Sequence, residues 1–166
     1  GIIYGITTYG LAQRMGIPNS EARELIQDYF HTFPKVKAYM EQAKETARAK
    51  EYAETLFHRR RYLPDINSRN ATVRGFAERN AINAPIQGTE ADIIKVAMVR
   101  IWKRFKEEGI RSKMILQVHD ELNFSVYPEE REQVERIVIE EMQNACQLNV
   151  PLTADAGWGS NWLEAH

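Results

Sequence analysis

Lys113–Tyr127 reads KMILQVHDELNFSVY, and two runs in it alternate with period two. Met114, Leu116 and Val118 share one face of an extended chain, and Leu122, Phe124 and Val126 share that face on the return. The pattern predicts a β-hairpin lying on a core, with His119, Asp120 and Glu121 at its apex. Three titratable groups at the rim of an apolar hairpin suit a metal-ion or acid/base site, and a plain polar turn would account for them as well.

The flanking chain supplies helices. Thr7 or Thr8 can cap a short helix that closes at Gly16, and Asn19 or Ser20 offers the next cap. Ala22, Leu25, Ile26, Tyr29, Phe30 and Phe33 follow at helical spacing, which predicts a core-facing stripe. Pro34 ends that helix and opens another, running to about Lys50. Tyr52–Leu56 and Arg60–Leu63 can pair as a small hairpin whose tip carries Arg59, Arg60 and Arg61. Guanidinium forks match phosphate oxygens, so these arginines are phosphate-contact candidates, although a solvated loop would look the same.

Ser68 or Asn70 can cap a helix to about Ala84, which Pro85 either kinks or restarts, ending at Glu108 and Gly109. Arg79, Asn83 and Gln87 recur every four residues there, presenting one guanidinium and two amides on one face. Such a row can donate to the minor-groove acceptors that every base pair offers. A further helix from Pro128 and a strand at Leu152–Ala156 complete an α+β layout: a small antiparallel sheet, hairpin plus C-terminal strand, packed with long helices.

Of the 166 residues, 43% are hydrophobic and 27% charged, as in ordinary globular chains. Cys146 is the only cysteine, so no internal disulfide can form and a reducing, cytoplasmic compartment is expected. No apolar run approaches the roughly 18–20 residues of a membrane span, and no membrane partner is expected. Net charge is −1, yet Arg48–Arg79 holds eight Lys/Arg against four Asp/Glu, while the chain from His119 onward holds ten Asp/Glu against two Arg. That asymmetry fits a basic surface for a polyanion beside an acidic region for cations, or two solvated faces. Gly1-Ile2-Ile3-Tyr4-Gly5 reads as the interior of a longer chain, so a fragment is expected.

With these elements in order, Met114–Leu122 (MILQVHDEL) resembles motif C of the family A, DNA polymerase I-type enzymes. The resemblance runs from Gly1 to His166. Gly1–Gly5 resembles the end of motif B, and similar segments fall at Tyr52–Leu56, Arg59–Asp65, Ala81–Thr89 and the C-terminus from Trp158. It implies that residues 1–66 form the C-terminal part of a fingers subdomain and 67–166 that of a palm. It also implies template-directed addition of deoxynucleotides to a primer 3′ end by two-metal phosphoryl transfer, in DNA replication or repair near a bacterial nucleoid.

Carried over by position, Tyr4, with Gly5 beside it, resembles the fingers tyrosine at the nucleotide and template position. Arg79, Asn83 and Gln87 resemble the minor-groove residues, and His119 the primer-terminus histidine. Asp120 resembles one of two magnesium-binding aspartates, and Glu121 its less essential neighbour. The implied partners are primer–template DNA, deoxynucleoside triphosphates and Mg2+. Motif A, with the second aspartate, and most of motif B lie outside this sequence, so the chain alone is expected to be inactive. A non-catalytic duplex-binding module is the alternative, and self-association through an open sheet edge is a further expectation. His58 stands where a turn glycine is usual, and Asn123 and Ser125 make one face of the return strand polar without an evident partner.

Overall fold

The computed structural model describes residues 1–165; His166, the last residue of the C-terminal resemblance, lies outside the described residues. The chain divides into two compact units, Gly1–Thr89 and Glu90–His166.

The first unit begins with a 3-10 turn, Ile2–Tyr4, and helices α1 (Thr8–Met15), α2 (Asn19–Thr32) and α3 (Pro34–Lys50). Thr7 caps α1, its hydroxyl accepting from Gly10 N at 3.1 Å. The cap expected at Asn19 or Ser20 is not used: α2 starts at Asn19 behind Pro18, whose fixed φ already suits a helix entrance. Pro34 opens α3 as expected. The aromatic stripe is only partly core, because Leu25 and Phe33 are exposed. Tyr29 instead meets Phe30 and Phe33 at ring distances of 5.6 and 5.1 Å, so the aromatics cover one another near the surface.

Strands β1 (Tyr52–Glu54) and β2 (Arg60–Tyr62) pair antiparallel, with Glu54 opposite Arg60. Ala47, Ala53, Leu63, Ile66, Ala77, Ala81 and Ala84 form the buried core that holds α3, the hairpin and α4 (Ala71–Glu107) together. Small side chains let these backbones approach closely. Asn70 caps α4, its Oδ1 accepting from Thr72 N and Val73 N.

Of the two outcomes expected at Pro85, a kink or a restart, the restart does not occur: α4 is one helix of 37 residues with Pro85 inside it. Proline removes one donor and crowds the preceding turn, and side chains from elsewhere in the first unit serve the carbonyls around it. Tyr39 donates its hydroxyl to Ile82 O at 3.1 Å, and Arg59 donates to Gly88 O at 2.9 Å. Thr89 donates to Pro85 O at 2.5 Å while accepting from Leu56 N.

In the second unit β3 (Lys113–Val118) and β4 (Glu121–Ser125) form the hairpin, followed by a 3-10 turn (Pro128–Glu130), α5 (Arg131–Gln143) and α6 (Trp162–Ala165). Ala97, Ile101, Phe105, Val134, Ile137 and Ala145 make its core, with Met114, Leu122, Phe124 and Val126 packed against it. A register shift between Met114 and Leu116 upsets the expected alternation. An extra residue there turns every later side chain of β3 over. Leu116 therefore pairs opposite Asn123 and is exposed, while Gln117 lies opposite Leu122.

The α+β class holds, with two small antiparallel sheets of two strands each. The strand expected at Leu152–Ala156 is not formed, and the hairpin sheet stays two-stranded. A strand exists only where a ladder partner is in reach; residues 153–156 instead line a cleft beside β4 and α5.

Candidate nucleic-acid interface

His119 and Asp120 make a two-residue turn between the paired residues Val118 and Glu121. His119 takes φ 53°, a left-handed conformation that costs a residue bearing a Cβ roughly 1–2 kcal/mol. Gln117 Nε2 donates to the His119 carbonyl at 2.9 Å, bracing the turn from the strand beneath. Both side chains of the turn are exposed. Among the described residues the Asp120 carboxylate makes no hydrogen bond or ion pair.

Glu121 is placed differently. It is half-buried, and its Oε1 accepts from Trp162 Nε1 at 2.7 Å and from Asn123 Nδ2 at 2.9 Å. The polar Asn123 of the return strand thus has a partner after all. Behind the apex lies a cleft of about 470 Å³ whose lining includes Asp120, Glu121, Phe124, Glu135, Asp155 and Trp158.

Magnesium prefers oxygen ligands, keeps several waters, and is usually held by one or two carboxylates plus substrate phosphates. Asp120 suits that demand as an exposed carboxylate at a braced turn. No cluster of three or more His, Cys, Asp or Glu side chains that could hold a metal occurs among the described residues.

At the other end of the hairpin, Glu130 accepts from Ser112 Oγ at 2.6 Å, Ser112 N at 2.8 Å and Arg111 N at 3.0 Å. The Ser112 hydroxyl is the largest of the contacts that hold its carboxyl down to about 2. These bonds fix the start of β3 against the turn that leads into α5.

In the first unit, Arg79, Asn83 and Gln87 stand on the unbroken α4. Arg79 and Gln87 are exposed. Asn83 is half-buried, and its Oδ1 is enclosed without a hydrogen-bond partner. Gly5 lies against the Arg79 stem: a Cβ at Gly5 would sit 3.4 Å from Arg79 Cγ. The neighbouring Tyr4 is exposed, and the Arg79 guanidinium lies 5.9 Å over the Phe76 ring. Tyr4, Gly5 and Arg79 are thus gathered at one place.

The three arginines of the hairpin tip have separate placements. Arg59 reaches back to Gly88 O, one residue beyond Gln87. Arg60 pairs with Glu54 at 2.9 Å and lies 4.5 Å over the Tyr52 ring. Arg61 is exposed and has neither a hydrogen bond nor an ion pair among the described residues. His58 takes φ 63°, the conformation a glycine would adopt freely, so the turn keeps a glycine's backbone.

Sequence reasoning missed the contacts that hold these groups. Gly88 is one: a Cβ there would meet Thr55 Cγ2 at 2.6 Å, so the hairpin loop docks on α4 only over a glycine. Trp162 is another, and the two glycines of the Gly157-Trp158-Gly159 turn were the available signal.

A model of the family described as DNA polymerase family A matches residues 1–164. The chain is 53% identical over 165 residues to DNA polymerase I of Bacillus caldotenax, covering 99% of this chain and 19% of that protein. DNA polymerase I of Streptococcus pneumoniae is 50% identical and that of Bacillus subtilis 48%, with the same coverage. Among solved structures, the POL domain of Pol1 from M. smegmatis, in complex with DNA primer-template and dNTP, superposes with a TM-score of 0.97. It is 46% identical, covering 99% of this chain and 29% of that one. The chain spans about a fifth of the length of the curated relatives it matches.

Proposed function

Because the chain belongs to the family A DNA polymerases, we propose that it is part of a DNA-directed DNA polymerase that extends a primer 3′ end in replication or repair. The observation that carries this reading is the exposed Asp120 carboxylate on a braced two-residue turn, free of protein partners among the described residues. Asp120 would hold magnesium there, with Glu121 beside it. When bound, the metal supplies charge neutralisation on the attacking and leaving oxygens of phosphoryl transfer.

The chain's own residues do the rest. His119, whose ring stands at the same turn, would donate to a phosphate or sugar oxygen of the primer terminus. Arg79, Asn83 and Gln87 would donate to minor-groove acceptors, a pattern indifferent to sequence as a copying enzyme requires. Tyr4 with Gly5 would face the nucleotide and template. Arg61 has its guanidinium available for backbone phosphate, while Arg59 and Arg60 shape the tip. In this reading residues 1–66 are fingers and 67–166 palm, and the protein works on DNA at the nucleoid of a bacterial cytoplasm.

Two-metal chemistry needs carboxylates from separate places. The 166 residues supply the Asp120 side, so by themselves they are expected to give no primer extension with Mg2+. Joined to the preceding part of a family A polymerase, they should extend primers. Asp120→Ala should then abolish synthesis while duplex binding persists, and normal synthesis by that variant rules out the role given to Asp120.

A non-catalytic duplex-binding module is the second reading, favoured by one observation: the Arg79, Asn83 and Gln87 row stands complete on one helix of the first unit. Duplex binding without synthesis by the rejoined wild-type chain would select it. The exposed Ile115 and Leu116 on β3 would also let isolated copies associate along that edge; sedimentation as a monomer at high concentration counts against it.

A further inference from the structure

Pro85 lies inside α4 between Asn83 and Gln87, so the two amides of the row stand on opposite sides of it. Proline has no N–H to offer the carbonyl four residues back, that of Ala81, and its ring crowds the same turn. Packing is incomplete on that side of the helix: a cleft of about 230 Å³ opens there, lined by Tyr39, Gln42, Ala43, Ala81 and Pro85 among others. From this cleft the half-buried Tyr39 of α3 donates its hydroxyl to Ile82 O at 3.1 Å. Burial pushes the Tyr39 phenol up, which keeps the hydroxyl a donor.

Neither amide has a tie of its own. Asn83 Oδ1 is enclosed without a hydrogen-bond partner, and the Gln87 side chain makes no hydrogen bond among the described residues. Where the two leave the helix is set by the backbone that carries them. We propose that Tyr39 is a positioning residue: by holding the Ile82 carbonyl, its hydroxyl fixes the course of α4 through Pro85 and so aligns Gln87 with Asn83 along a duplex minor groove. A carbonyl has two lone pairs, so Ile82 O can take this donor beside its helical one. A donor from outside the helix draws the carbonyl outward, and groups inserted into the ladder in this way set how a helix bends. Tyr39, Ile82, Pro85 and Gln87 all belong to the first unit.

This inference rests on the minor-groove reading of the row, and a binding cycle tests it. In a full-length polymerase carrying these 166 residues, Tyr39→Phe removes only the hydroxyl and should raise the Kd for a primer–template duplex about three- to tenfold. In the Gln87→Ala background there is no amide beyond Pro85 left to align, and Tyr39→Phe should then cost less than about twofold more. In primer extension the loss should fall on KM for the duplex more than on kcat.

An equal loss in both backgrounds overturns the proposal, since a hydroxyl that merely supports the fold would act alike in each. An unchanged Kd in Tyr39→Phe overturns it too, as does a loss confined to kcat. Should the wild-type polymerase bind duplex yet extend no primer, the polymerase reading fails while the binding cycle still decides the role of Tyr39. A wild type that binds no duplex overturns both.

Discussion

Arg59 Nη2 lies 2.9 Å from the carbonyl oxygen of Gly88, tying the tip of the β1–β2 hairpin to α4 just beyond Gln87. An arginine that the sequence offers as a phosphate contact therefore has a place inside the first unit. The Thr55–Thr89 region packs the same junction, with both threonines buried.

Gly88→Ala tests how tightly that junction is closed. Alanine favours a helix over glycine by about 1 kcal/mol, but its Cβ would press on Thr55 Cγ2 at 2.6 Å. Overpacking of that kind costs about 1–3 kcal/mol, so the variant should be the less stable in denaturant titrations. Adding Thr55→Ser, which deletes the obstructing methyl, should recover most of the loss.

Asn83→Ala should separate stability from binding. The buried Oδ1 without a partner costs about 1–3 kcal/mol in desolvation, so its removal should leave the fold as stable or more stable. Affinity for a primer–template duplex should nevertheless fall, by about three- to tenfold if one amide contact is lost. Fluorescence anisotropy with labelled duplex, read beside a thermal melt, checks both halves.

His58→Gly should stabilise the first unit. Its backbone sits at φ 63°, which glycine adopts without the roughly 1–2 kcal/mol penalty of a Cβ. The bond from His58 to Glu54 that would be lost joins a side chain that is 85% exposed, and such contacts contribute little. A net gain of about 0.5–1 kcal/mol in denaturant unfolding is the expected outcome.

Glu130 gives the second unit an acid-sensitive brace. Its carboxyl is held from 4.5 down to about 2, so the ionised form is favoured by folding. That contribution is complete above the unfolded value and is lost as pH falls from about 4.5 toward 2. The difference in Tm between the wild type and Glu130→Gln should be constant near neutrality and shrink below about pH 4.5. A difference unchanged down to pH 2 would contradict the assignment.

Much of the fold was legible because its signals are local. Thr7, Pro34 and Asn70 start helices through their own backbone chemistry, and the His119–Asp120 turn follows from apolar alternation on both sides. What was not legible depends on partners distant in sequence. The bulge at Ile115 turns Leu116 outward without leaving a mark in a run of three apolar residues, Met114–Leu116. Pro85 reads as a kink or a restart until Tyr39 and Arg59 are seen serving the carbonyls around it. Leu152–Ala156 has the composition of a strand, but no composition supplies a neighbour to pair with. At the candidate site, the place of Asp120 at a hairpin turn and of Arg79, Asn83 and Gln87 on one helix was legible by spacing, whereas the tie between Glu121 and Trp162 spans 41 residues and has no periodic signature.

The chain's indoles also decide what an optical experiment on it reports. Trp102, Trp158 and Trp162 are its three tryptophans, and all of them belong to the second unit. Intrinsic emission excited at the red edge of the absorption band is therefore blind to the first unit, whose chromophores are tyrosine and phenylalanine. Two of the emitters donate to carboxylates and the third lies 5.5 Å from the Lys106 ammonium. A melting curve followed by emission alone would describe the second unit, and a helix-sensitive signal such as circular dichroism is needed beside it before any single transition is assigned to the whole.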